Sequence, residues 1–73
     1  MKNTYKDRSI FSGVAEYDDE EGNTWRRMNE GFVWAFYKLE GDCFIRHTTI
    51  KKPEGKCKKT VREIHNLMMQ LSA

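Results

Sequence analysis

Proline and cysteine, the two residue types that most often constrain a small domain, are nearly missing here: Pro53, Cys43 and Cys57 are the only examples in 73 residues. Two cysteines are too few for the disulfide framework of a small secreted domain, so reduced thiols are expected and stability must come from packing. Long apolar runs are absent as well. Nothing approaches the roughly 20 residues that a membrane-spanning helix needs, and Met1 to Ile10 is too polar for a secretory signal. These absences predict a soluble, cytoplasmic chain with no membrane partner. Recognisable chemistry is the third absence, because no nucleophile elbow, P-loop or dinucleotide fingerprint occurs.

Metal-ligand spacing is missing too. Cys43 and His47 lie four strand residues apart, about 13 Å, and Cys57 and His65 two helical turns apart, about 12 Å. Neither pair has the C-x2-4-C closeness of a zinc site, so no metal and no cofactor is expected. The acidic cluster Asp18-Asp19-Glu20-Glu21 lacks the carboxylate spacing and terminal Glu of a twelve-residue calcium loop. An enzyme is not expected. That reading would change only if a pocket gathered His47 or His65 with a carboxylate.

What is present fits one small domain. Hydrophobic residues make up 38% and aromatics 12%, enough for a core despite 33% charged residues. At this length burial and ordering entropy nearly balance, and a homodimer is an ordinary way to add stability. Residues 1–9 are polar and are expected to be a flexible N-terminus, with a single α+β domain over 10–73.

Strand signals run over about 10–17, 24–28, 32–39 and 43–50, predicting an antiparallel sheet of three to four strands. Gly13 marks a bulge or a close backbone approach in the first of these. Gly22-Asn23 and Glu40-Gly41-Asp42 have turn chemistry, and Asn29-Glu30-Gly31 is a further break. In the most apolar stretch, Phe32, Trp34 and Phe36 fall on one strand face and Val33, Ala35, Tyr37 and Leu39 on the other, so both faces require cover. Lys51-Lys52-Pro53-Glu54-Gly55 ends the sheet. Val61, Ile64, Met68 and Leu71 then repeat with helical spacing, flanked by Cys57 and Leu67. The C-terminal amphipathic helix covers about 57/61–72. Thr60-Val61-Arg62-Glu63 fits a capping box and sets its start at one place, while Pro53 and Glu54 offer an earlier one.

Charge carries the functional reading. Residues 1–42 hold six basic and nine acidic groups, net −3, whereas 43–73 hold seven basic and two acidic groups, net +5. Such asymmetry points to a polyanion or an acidic protein surface, although a charge run also serves simply as a solvated face. Lysines inside the first turn of a helix oppose the positive end of its dipole, so Lys56-Cys57-Lys58-Lys59 suggests an anion at the helix start. With Arg46, Lys51, Lys52 and Arg62 these lysines form a patch able to follow a phosphate backbone, RNA being favoured. Trp25, alternating with Arg26 and Arg27, reads either as a base-stacking platform or as an anchor for a protein partner. The second reading makes the chain a regulator or inhibitor docking on a larger assembly, of the size of viral or mobile-element accessory proteins.

Strands followed by Gly55-Lys56-Cys57-Lys58-Lys59 and a helix are similar to the C-terminal half of double-stranded RNA-binding domains, whose last helix begins with a phosphate-contacting lysine cluster. The likeness covers about residues 32–71. That family's first helix has no counterpart here, the connection after Ile50 is longer, and Ile64, Leu67 and Met68 replace its alanine-rich helix face. The resemblance therefore assigns no family.

Overall fold

The computed structural model describes residues 4–52 and 59–72. Five strands precede one helix: β1 Arg8–Phe11, β2 Val14–Asp18, β3 Thr24–Glu30, β4 Val33–Glu40, β5 Cys43–Lys51 and α1 Val61–Ser72. Each strand pairs antiparallel with the next, giving the sheet order β1-β2-β3-β4-β5. The α+β class and the antiparallel sheet agree with the sequence reading. The strand count does not, and the reason is Gly13. Its φ of 79° lets the chain reverse at Ser12-Gly13, pairing Phe11 with Val14. The expected single strand over 10–17 is therefore a hairpin. Near the start of the described residues, Tyr5 donates its backbone N–H to the Asp18 carbonyl at 2.8 Å, and Arg8-Ser9 belong to β1.

One face of the sheet carries the core. Tyr17, Trp25, Phe36 and Ile50 pack with Ile64 and Met68 of α1, flanked by Tyr5, Trp34, Val61 and Leu67. Phe32 does not join Trp34 and Phe36 there. Glu30 pairs with Val33, so Gly31-Phe32 is the hairpin turn itself, and Phe32 is 89% exposed. On the helix, Thr60 caps the first turn, accepting from the Glu63 N–H at 3.2 Å and donating its hydroxyl to Glu63 at 3.4 Å. The capping box sets the start, and Pro53, Glu54 and Cys57 lie outside the described residues. Leu71, expected in the apolar stripe, is 63% exposed, while His65 is buried beside Ile64. No helix among the described residues is long and apolar enough to cross a membrane.

The second face has a cover that alternation alone does not reveal. Among the described residues, no element lies over Val33, Ala35, Tyr37 and Leu39, yet Ala35 is fully buried. A cross-strand row of Arg8, Glu16, Arg26, Tyr37 and Arg46 traverses all five strands on this side. Arg26 lies over the Phe44 ring at 4.1 Å and Arg46 over Tyr37 at 5.8 Å. Ion pairs to Glu16, Asp18 and Glu30 hold the guanidinium groups. The aliphatic stems of arginine shield apolar surface while their heads stay in water.

Phe36 and Phe32 thus have opposite energetic roles. Phe36→Ala is expected to cost ~3 to 5 kcal/mol of unfolding free energy, and Phe32→Ala to stay within ~0.5 kcal/mol of the parent, both read from urea denaturation midpoints.

Candidate nucleic-acid interface

The meander places its turns at two ends of the sheet, and the ends differ in charge. The β2–β3 and β4–β5 turns carry Asp18, Asp19, Glu20, Glu21, Glu40 and Asp42. At the opposite end lie the Ser12-Gly13 and Gly31-Phe32 turns and the end of β5, where Lys51 pairs with Val33 and the Lys52 N–H donates to the Phe32 carbonyl at 3.0 Å. Phe32 is thus bracketed by the start of the lysine-rich segment. Lys51 is exposed, and the Lys52 ammonium donates to Asn29 Oδ1. Among the described residues, neither lysine meets a carboxylate.

The remaining members of the expected patch separate. Arg46 lies on the open sheet face, forked on Glu30 with both N–O distances 3.1 Å and bonded to Tyr37 and Thr49 at 3.0 Å. Hydrogen bonding from Arg46 holds the Glu30 carboxyl below the usual carboxylate range. Arg62 lies on α1, paired with Glu20 at 2.9 Å and over the Tyr5 ring at 5.1 Å. Lys59 is exposed just ahead of the Thr60 cap, while Lys56 and Lys58 fall outside the described residues. Because α1 starts at Val61, Lys59 precedes the first turn, which instead holds the acid Glu63. The expected conflict with the helix dipole does not arise at Lys59, and the likeness to a helix that opens on a lysine cluster ends there.

Trp25, Arg26 and Arg27 do not form one surface. Trp25 pairs with Tyr17 on the core side, is only 2% exposed and donates Nε1–H to Asp19 at 2.9 Å, so it offers no open stacking face. Arg26 points to the open face and bonds Glu16 at 3.1 Å. Arg27 turns to the helix side, where it pairs with Asp7 at 2.8 Å and lies 5.2 Å over the Trp34 ring.

A cavity of about 260 Å³ at the acidic end brings His47 and His65 together with Asp19, Glu20 and Glu21, beside Tyr5. This is the gathering of histidine and carboxylate that the sequence leaves open. Its central groups are engaged in the fold. Asp19 accepts from the Glu21 and Asn23 N–H groups and from Trp25, each at 2.9 Å, and its second oxygen lies 3.9 Å from His65 Nε2. Burial alone would raise the Asp19 pKa, but the bonds from Trp25, Asn23 and Glu21 outweigh it and hold the carboxyl low. With the carboxylate facing Nε2, the proton of neutral His65 belongs on that nitrogen, and Nδ1 accepts from the Tyr17 hydroxyl at 2.8 Å. Burial pushes the His65 pKa down, against the pull of Asp19, and pushes Tyr17 far up. Among the described residues, no Ser, Thr or Cys lines this cavity. Among the described residues, no group of three ligand side chains is placed to hold a metal.

The sequence reading misses both Phe32 and this buried network. The two-residue spacing of Gly31-Phe32 between strands was the available signal for the first, and Asp19 ahead of Gly22-Asn23, an Asx-turn pattern, for part of the second. No family model, curated protein or solved structure matches the chain.

The lowered pKa values set an acid sensitivity. Unfolded His65 titrates near 6.5 and unfolded Asp19 near 3.8, both above their folded values. The unfolded chain therefore binds these protons first, and stability, full above those points, falls as pH drops through each. Urea midpoints are expected to decline from pH 7 to 5, and His65→Gln to flatten that decline.

Proposed function

We propose that this chain is a small nucleic-acid-binding protein that takes single-stranded RNA at the basic end of its sheet. One observation carries the reading: Phe32 is 89% exposed on the β3–β4 turn, next to the end of β5, where Lys51 pairs with Val33 and the Lys52 N–H donates to the Phe32 carbonyl. A base stacks on the aromatic face while lysines neutralise the flanking phosphates, the two components that sequence-tolerant single-strand binding requires. Lys56, Lys58 and Lys59 continue the positive segment along the chain. The acidic turns at the far end of the sheet repel the same backbone and orient it toward the Phe32 end. Arg46 and Arg62, already paired, contribute little.

The exposed Phe32 also supports a second reading, in which it anchors a regulator or inhibitor on a protein partner. Capture from lysate with and without nuclease separates the two, since partners of the first kind are lost with the RNA.

Fluorescence anisotropy with a labelled ten-nucleotide oligouridine tests the main reading. Log affinity is expected to fall linearly with log salt concentration, and Lys51→Ala with Lys52→Ala to make the slope shallower by about 1 to 1.5. Phe32→Ala is expected to weaken binding roughly tenfold at constant slope, within the range for one base stacked on an aromatic ring. Absence of binding at low salt would remove the reading.

A further inference from the structure

Cations on this molecule are held in two ways. Among the described residues, every arginine is met by a carboxylate, so its direction and its charge are settled together. Lys52 is held differently. Its ammonium donates to Asn29 Oδ1, a neutral acceptor, and it meets no described carboxylate. Of the described lysines, it is the one whose ammonium is hydrogen-bonded within the fold.

Asn29 is itself fixed from two sides. It pairs with Trp34 across β3 and β4, and its backbone N–H donates to the Gly13 carbonyl at 2.8 Å, which ties the β1–β2 turn to β3. Lys52 is tied at its other end, where its own N–H donates to the Phe32 carbonyl at 3.0 Å. The lysine side chain therefore reaches from the end of β5 to β3 beside the Phe32 turn. A free lysine gives up much rotamer freedom when its ammonium is immobilised. Here the fold has already taken part of that loss. An ammonium carries three donors, so two remain for phosphate oxygens after the bond to Asn29. A carboxylate in place of the amide would hold the same side chain but oppose the charge that attracts a phosphate.

From this we infer that Asn29 is a positioning residue of the single-strand interface, holding Lys52 ready for a phosphate beside the Phe32 turn while leaving its charge unopposed. The inference rests on the single-strand reading of that end of the sheet. Asn29 acts through Lys52, so its effect on binding must vanish when Lys52 is removed.

Binding of a labelled ten-nucleotide oligouridine is measured over a salt series for the parent, Asn29→Ala, Asn29→Asp, Lys52→Ala and the double variant Asn29→Ala/Lys52→Ala. Asn29→Ala is expected to weaken binding about threefold, the scale of immobilising one long side chain, with the salt slope unchanged. Asn29→Asp keeps Lys52 in place but pairs it, so the slope becomes shallower by about 0.7, one phosphate contact on a single strand. In the Lys52→Ala background, Asn29→Ala has no further effect. That cycle separates positioning from a structural role, which would weaken binding in either background. Asn29 is exposed, and its nearly isosteric Asp variant is decisive if Asn29→Ala fails to fold. An unchanged slope for Asn29→Asp, or a loss from Asn29→Ala that persists without Lys52, overturns the positioning role while the single-strand reading stands. Failure of the parent to bind at low salt overturns both.

Discussion

A single carboxylate ties the molecule together. Asp19 closes the β2–β3 turn by accepting from two backbone N–H groups, receives the indole N–H of Trp25 in the core, and faces the imidazole of His65 on α1. His65 in turn meets the Tyr17 hydroxyl from β2. Turn, sheet and helix are thereby fixed through one polar cluster. A helix of twelve residues has little stability of its own, so its place depends on such contacts as well as on Ile64 and Met68. Satisfied in full, a buried polar group of this kind specifies one arrangement of its neighbours; left half satisfied, it would destabilise them. The cavity with two histidines and three acids is built around the same cluster.

The two faces and two ends of the sheet divide the remaining labour. The helix side buries the large aromatics. The open side replaces a second layer with arginines whose charges are met by Glu16, Asp18 and Glu30. Among the described residues, arginines are thereby paired on one face, while Lys51 and Lys52, which meet no carboxylate, lie at the end of the sheet that carries the Phe32 turn.

How far the sequence could be read depended on the range of the interactions. Local signals were legible: the capping box at Thr60 and Glu63, the turn at Gly41, and the apolar period of Ile64 and Met68 all depend on residues within a few positions of one another. Gly13 signals a bulge or a close approach but not a reversal, because two short strands and one long strand share the same alternation. Phe32 reads as part of the strand it precedes, since the apolar run Phe32 to Leu39 contains no signal that separates the turn from the strand. The pairing of Arg46 with Glu30 and of Arg62 with Glu20 depends on strand register and helix placement, which charge counting does not contain. The strand pattern puts Trp25 in the sheet, but its face is set by a partner six residues earlier, Asp19, and by His65 on a helix forty residues later.

The arginine row has a consequence for how this fold can change over time. Its ion pairs lie outside the packed core and are of the partly exposed kind that contributes little to stability. Exchange of Glu16 or Glu30 for a neutral residue would leave the hydrophobic layer beneath intact and release the paired guanidinium groups. A charge-balanced face would thereby become a cationic one. The scaffold thus carries a second surface whose sign can be rewritten by drift, independently of the end that now holds the lysines.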